Sequence, residues 1–146
     1  MVFFLTETWL SSDCLPSITN SLTLTDYSFL QVARPSAHEG VAAIFKSKFS
    51  VVTVTTPSFT SFEHMLLKLT CKTKSYLFLI VYRPPSNSTP TKFLSDFSSL
   101  LEDLAASPSE FLATGDFNLH LDDPADIYAN SFKTLLETFD LKQHIS

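Results

Sequence analysis

Apolar and polar positions change period once along this chain, which divides it into a strand-rich first part and a second part where strand and helix alternate. Residues 27–33, 40–46, 50–56, 62–71 and 75–82 are rich in β-branched and aromatic side chains and are bounded by Pro, Gly, Ser and Lys-rich turns, which predicts five strands. A further apolar run, Val2-Phe3-Phe4-Leu5, opens the chain. Within 62–71, Met65, Leu67, Leu69 and Cys71 alternate with His64, Leu66, Lys68 and Thr70, so one face is expected to be buried and the other mixed. Cys71 is thereby expected in the core. The run from Tyr76 to Tyr82 is apolar on both faces, the pattern of a central strand covered on both sides.

After Pro84-Pro85 the period lengthens. Phe93, Leu94, Phe97, Leu100, Leu101 and Leu104 form one helical stripe, with Ser88 or Thr89 available as the cap and Pro90 suited to the first turn. Residues 110–114 return to strand. Phe132, Leu135, Leu136 and Phe139, at i, i+3, i+4 and i+7, mark a second amphipathic helix. The acidic turn of Asp122, Asp123, Pro124 and Asp126 lacks the Gly and terminal Glu of an EF-hand loop and is expected to cap that helix and meet solvent.

Composition adds an ordered interior. A chain of 146 residues, 45% hydrophobic and with 14 Phe, is long enough to bury roughly 70% of its unfolded surface. The opening apolar run is too short for a secretory segment and meets Glu7 at once, and no stretch approaches the ~18 apolar residues of a membrane span. The expected location is intracellular, nuclear or cytoplasmic. Cys14 and Cys71 form neither a disulfide framework nor a metal-ligand pattern and are expected as reduced thiols. The formal charge of -5 argues against holding nucleic acid by bulk electrostatics, which needs Lys and Arg to neutralise phosphates. It leaves room for a metal-dependent nuclease. Lys46, Lys48, Lys72 and Lys74 lie in hairpin turns and are expected to be solvated.

The segment with the most chemistry is Leu112-Ala113-Thr114-Gly115-Asp116-Phe117-Asn118. In an extended backbone, side chains two apart share a side, so Asp116 and Asn118 can reach into one cleft while Phe117 turns back into the core. Gly115 lets the backbone bend or approach a neighbour closely. Two other apolar runs end in the same manner. Val2 to Leu5 delivers Thr6-Glu7-Thr8-Trp9, and Tyr76 to Tyr82 delivers Arg83-Pro84-Pro85.

These three segments, in this order, resemble the endonuclease/exonuclease/phosphatase superfamily, and within it the apurinic-type endonuclease domain of non-LTR (LINE-like) retrotransposons. The resemblance implies an α/β (α+β) chain, a partial four-layer α/β sandwich. It implies a metal-dependent phosphodiesterase-type domain that nicks DNA, with Mg²⁺ or Mn²⁺ as cofactor and a reverse transcriptase as neighbour in a longer polyprotein. By residue, it implies that Glu7 binds the metal, that Tyr82 contacts the scissile phosphate, and that Asp116 and Asn118 are catalytic. The family's Asn-bearing strand precedes the Glu motif and its Ser-Asp-His motif follows further strands. Neither is among these 146 residues, so the expectation is one domain over residues 1–146, truncated at both ends and weakly active or inactive alone. Where the family often has a Gly-rich stretch, this chain reads Ser36-Ala37-His38-Glu39-Gly40-Val41, implying an altered loop. Two alternatives remain: a lipid or nucleotide phosphoesterase of the same superfamily, and a non-catalytic retroelement remnant or interaction module.

The same resemblance implies a division of labour. Glu7 anchors one Mg²⁺ whose shell is largely water, Asp116 orients and deprotonates the attacking water, Asn118 holds Asp116 or a phosphate oxygen, and the Tyr82 hydroxyl donates to the developing charge. Arg83 has two open roles, pairing with a phosphate or bracing the loop beside Pro84-Pro85. His120 continues the alternation of Asp116 and Asn118 and is a candidate substrate contact, although a chain commonly turns after such a motif. His38, His64 and His144 are expected at the surface or satisfied in place, and Trp9 in the core.

Overall fold

The computed structural model of the chain describes residues 1–10, 16–32, 40–85 and 89–144. Its elements are β1 (Val2–Thr6), α1 (Pro16–Leu22), β2 (Tyr27–Val32), β3 (Val41–Lys46), β4 (Ser50–Val54), β5 (Glu63–Cys71), β6 (Lys74–Tyr82), α2 (Pro90–Ala105), β7 (Glu110–Asp116) and α3 (Ile127–Thr138). With two sheets and helices the class is α+β. Strands lie where the period-2 runs predict them. Helix α1 was not expected, because its sequence PSITNSL has no apolar stripe to announce it. No described helix is long and apolar enough to cross a membrane.

Contacts divide the chain into two compact units, one of Met1–Thr56, Glu63–Tyr82 and Ser109–Asp116, the other of Pro57–Phe62, Arg83–Pro108 and Phe117–Ser146. The first unit holds both sheets, in the orders β1-β3-β2 and β4-β5-β6-β7. Strand β6 pairs antiparallel with β5, from Glu63↔Tyr82 to Cys71↔Lys74, and parallel with β7, from Tyr76↔Glu110 to Tyr82↔Asp116. A parallel neighbour needs a long connection, and the segment containing α2 supplies it. Val41, Ala43 and Phe45 of β3 form one buried cluster with Met65 and Leu67 of β5 and Ile80 and Tyr82 of β6. These are alternate residues on each strand, so the cluster is the interior between two facing sheets. Phe4 and Phe78 meet across it with ring centroids 5.5 Å apart. The other phase of β6, Leu77, Leu79 and Val81, is buried as well, so this strand is central as its doubly apolar pattern requires.

Cys71 is a correction to the expected core, since its side chain is exposed. It is the last residue of β5, paired with Lys74 at the hairpin, where alternation continues but the facing sheet no longer covers it. Cys14 and most of the altered loop at 36–39 lie outside the described residues.

The second unit is built on aromatic packing. Phe93, Phe97, Leu100, Leu101 and Leu104 of α2 are buried, as their spacing predicts. Phe93, Phe97, Phe117 and Phe132 form a mutual cluster whose closest rings, Phe117 and Phe132, are 4.9 Å apart. Thr89 caps α2 by accepting from the Lys92 N–H. Asp126 caps α3 by accepting from the Tyr128 and Ala129 N–H groups, and the Ala129 bond above all holds its carboxyl below the usual range. Part of the acidic turn is thus a helix cap.

His64 makes the first unit sensitive to acid. Burial lowers its pKa from 6.5 to about 4, and its Nε2 lies 2.7 Å from the Thr56 hydroxyl. Above pH 6.5 the ring is neutral both folded and unfolded, with no effect on stability. Between 6.5 and about 4 the unfolded chain takes up a proton that the folded chain refuses, so stability falls as pH drops through this window. The full loss is about 3 kcal/mol, from ~1.4 kcal/mol per unit. Urea titrations at about pH 7 and about pH 5 are expected to show about 2 kcal/mol of it, and His64→Leu is expected to flatten that difference.

Candidate active site

Strand β1 ends at Thr6, and Glu7 follows in the left-handed region at φ 53°. The Thr8 N–H donates to the Gly40 carbonyl at 3.3 Å, which anchors the segment that carries Glu7. Tyr82 closes β6 and is buried, and its hydroxyl donates to Glu7 Oε1 at 2.7 Å. Asp116 closes β7 as the register partner of Tyr82. Directly opposed residues on neighbouring strands share a face. Glu7, Tyr82 and Asp116 therefore gather at the C-terminal ends of β1, β6 and β7, the end at which open α/β sheets hold ligands.

The same row continues to a residue that motif reading missed. Glu63 is the partner of Tyr82 on its other side, in β5, and is 7% exposed. The signal was present in the sequence. Glu63 stands in the phase of Met65, Leu67 and Leu69, so it is a carboxylate at a position whose next three successors are core.

Gly115 has a steric reason. At φ 143°, a Cβ there would lie 1.8 Å from the Val81 carbonyl oxygen. Only glycine lets the end of β7 sit this close to β6 and keep Asp116 in register with Tyr82.

Arg83 and Asn118 belong to the second unit, where they hold each other. Arg83 is buried at 3% exposure, and its Nη1 donates to the Asn118 carbonyl at 2.8 Å and the Phe117 carbonyl at 3.3 Å. Asn118 Nδ2 returns a bond to the Arg83 carbonyl at 2.6 Å. The guanidinium lies 5.6 Å from the centre of the Phe93 ring, and its burial lowers its pKa. Of the two roles open for Arg83, the geometry realises the bracing one. Asn118 sits at φ 49°, a conformation Asn tolerates, and Phe117 turns into the aromatic cluster as expected.

Two expectations are corrected. The alternation that placed His120 beside Asp116 and Asn118 stops, because β7 ends at Asp116 and Asn118 is left-handed. His120 is exposed near the start of α3, close enough to Asp126 to steady its charge. Trp9 is 62% exposed rather than core, since positive φ at Glu7 and Trp9 ends the strand alternation that would have turned its ring inward.

Among the described residues, no group of three or more His, Cys, Asp or Glu side chains is placed to hold a metal ion. Mg²⁺ commonly binds through one or two carboxylates with water completing its shell, and Glu7 and Asp116, both exposed, fit that mode. A hollow of about 300 Å³ lined by Leu5, Thr6, Glu7, Thr8, Leu10, Phe29 and Ile44 adjoins Glu7.

With this geometry in view, the chain belongs to the endonuclease/exonuclease/phosphatase family, whose model matches residues 2–136. No curated protein sequence matches it. Its fold is similar to that of the AP endonuclease LMAP from Leishmania major (TM-score 0.68, 17% identity, covering 94% of this chain and 57% of that one). It is also similar to the endonuclease domain of TRAS1, a telomere-specific non-LTR retrotransposon (TM-score 0.64, 11% identity, 84% and 58%). A truncated TDP2 from Caenorhabditis elegans is a third (TM-score 0.58, 15% identity, 83% and 50%). At these identities the likeness is one of fold, and the chain spans between half and three fifths of those proteins' lengths.

Gly115→Ala is expected to cost at least about 3 kcal/mol of unfolding free energy, because the clash is with backbone that no side-chain movement relieves. A chemical denaturation curve checks it. An alanine variant as stable as the unaltered chain would mean that β6 and β7 are not held this close.

Proposed function

We propose that this chain is the catalytic part of a metal-dependent phosphodiesterase, a DNA-nicking endonuclease of a LINE-like retroelement. The observation that carries the reading is the convergence of Glu7, Tyr82 and Asp116 at one end of the first unit, with Tyr82 bonded to Glu7 and in register with Asp116. Family membership supports the reaction class, since its members are generally dependent on a divalent metal. The match spans residues 2–136, through segments of both units, which supports one domain.

In this reading Glu7 and Asp116 hold Mg²⁺ or Mn²⁺, which when bound supplies positive charge against the phosphate and the leaving oxygen. Asp116 orients a water molecule and takes its proton. Tyr82 has one proton to give, and a phosphate oxygen entering beside Glu7 competes with that carboxylate for it. Asn118 and Arg83 hold the turn that directly follows Asp116. Arg83 thus acts through the backbone, and His120 has no part in the chemistry.

DNA as substrate is supported by neighbours of the same fold. One is named an AP endonuclease, another is a retrotransposon endonuclease domain, and TDP2 of D. rerio is known in complex with a single-strand DNA product. The retroelement assignment, and with it a reverse transcriptase elsewhere in a longer polyprotein, rests on the likeness to TRAS1 together with the three motifs. The acidic balance of -5 favours capture through the metal site over bulk attraction.

Nicking of supercoiled plasmid in Mg²⁺ tests the reading. The 146-residue chain alone is expected to nick no faster than its Asp116→Ala variant, whereas in a version extended at both ends cleavage is expected to fall by about two orders of magnitude on Asp116→Ala, because groups acting as a unit fail together, and to vanish with chelator. Cleavage that survives Asp116→Ala contradicts the site. Complete absence of Asp116-dependent cleavage in the extended version favours the non-catalytic interaction module.

A further inference from the structure

The net charge of -5 averages over a segregated distribution. The lysines of the first unit, Lys46, Lys48, Lys68, Lys72 and Lys74, all lie in the half of it farthest from the candidate site. Lys46 and Lys48 belong to the connection from β3 to β4, and Lys72 and Lys74 to the β5-β6 hairpin. The register Ser50↔Thr70 sets these two turns side by side, and Lys68 lies on β5 two residues before Thr70, on the same face. Neighbouring strands are about 4.8 Å apart, so the ends of β4, β5 and β6 span a strip about 10 Å wide. Lys48, Lys68, Lys72 and Lys74 are exposed, and among the described residues none of these lysines pairs with a carboxylate. The acids of the unit are placed otherwise. Glu7, Glu63 and Asp116 stand at the opposite end, and among the described residues only Asp26 and Glu110 share the lysine end.

We propose that the lysine end of the first unit is a docking surface for the phosphate backbone of DNA, separate from the rim that carries Glu7, Tyr82 and Asp116. Along β6 the span from Lys74 to Tyr82 is about 26 Å, from ~3.3 Å per residue. That is more than twice the Debye length of about 10 Å at 0.1 M salt, so the acidic rim is screened from this end and the local field is positive. Exposed ammonium groups on a narrow strip match successive phosphates of one strand, and each phosphate neutralised releases a counterion. Ser50, Thr70 and Ser75 are register partners and add a row of hydroxyls, a second kind of phosphate contact, with the Thr70 and Ser75 oxygens 3.3 Å apart. Contacts of this kind hold backbone and carry no sequence information. The phosphates held here are not those of the cleaved bond, which the rim would hold at the far end of β6. The choice of DNA over another polyanion rests on the proposed function, but the polyanion-binding character of the surface does not.

The test is fluorescence anisotropy of a labelled DNA duplex titrated with the 146-residue chain in the presence of chelator, at a series of salt concentrations. Binding is expected, with log K falling against log salt at a slope of about -3 to -4, from four phosphates at ~0.9 each. Lys48→Gln/Lys74→Gln is expected to weaken binding at least about tenfold at low salt and to reduce the slope by about 2. Lys68→Gln/Lys72→Gln is expected to do the same, and substitution at these exposed positions leaves the fold intact. Lys92→Gln/Lys142→Gln, two exposed lysines of the second unit, changes the net charge equally and is expected to leave affinity within about twofold. Absence of binding at about 20 mM salt overturns the proposal. So does binding that neither pair from the lysine end weakens, and so does an equal loss in the control pair, which would make net charge responsible. Tighter binding to vesicles of anionic phospholipid than to DNA overturns it in favour of a membrane surface. No metal or cleavage enters this titration. A failed nuclease reading would appear separately, as absent Asp116-dependent nicking in the extended version with metal-free binding intact.

Discussion

The hydrogen bond from the Tyr82 hydroxyl to Glu7 joins residues 75 apart in sequence. Glu7 lies just past the end of β1 in a left-handed conformation, so nothing in strand geometry alone would aim it at β6. The bond fixes where the carboxylate stands. It can form because Tyr82 is the last residue of a strand buried on both faces, and its buried ring carries the hydroxyl to Glu7. A rigid anchor inside the interior thus sets the position of a charge at the edge.

Two further constraints deliver Asp116 to the same rim. The parallel register of β6 and β7 puts it beside Tyr82, and Gly115 permits the approach of the two backbones that this register needs at its end. Beyond Asp116 the chain leaves the sheet, and the second unit has its own device for holding the turn from Phe117 to Asn118. Arg83 donates to the carbonyls of both residues, Asn118 donates back to the Arg83 carbonyl, and the Phe117 ring locks into the aromatic cluster. A buried guanidinium is costly unless satisfied, and here the backbone of the turn and the face of Phe93 surround it. The segments after β6 and β7 are therefore pinned by residues adjacent to the site.

Much of this was legible in the sequence, and for physical reasons. The doubly apolar run ending at Tyr82 marked the central strand, and the stripe from Phe93 to Leu104 marked a helix whose cap is Thr89. Glu7, Tyr82 and Asp116 stand out because each follows an apolar run, and strand ends are where such runs deliver side chains to a rim. Periodicity served less well where a single positive φ intervened. The positions expected for Trp9 and His120 extend an alternation that Glu7 and Asn118 have already ended. The position expected for Cys71 lies past the edge of the facing sheet. Helix α1 carries no apolar stripe, and Glu63 escapes notice because a carboxylate in a core phase breaks the pattern being sought.

The central claim is that Tyr82 and Glu7 act as one unit, and a double-mutant cycle measures it directly. Unfolding free energies of the chain, Glu7→Gln, Tyr82→Phe and the double variant give the coupling between the two side chains. The account requires a coupling of about 1 kcal/mol or more, as befits a hydrogen bond to a charged acceptor tempered by solvent. Effects that simply add, with no coupling, would mean that Glu7 is not held by Tyr82 and that the convergence at the rim has no energetic basis.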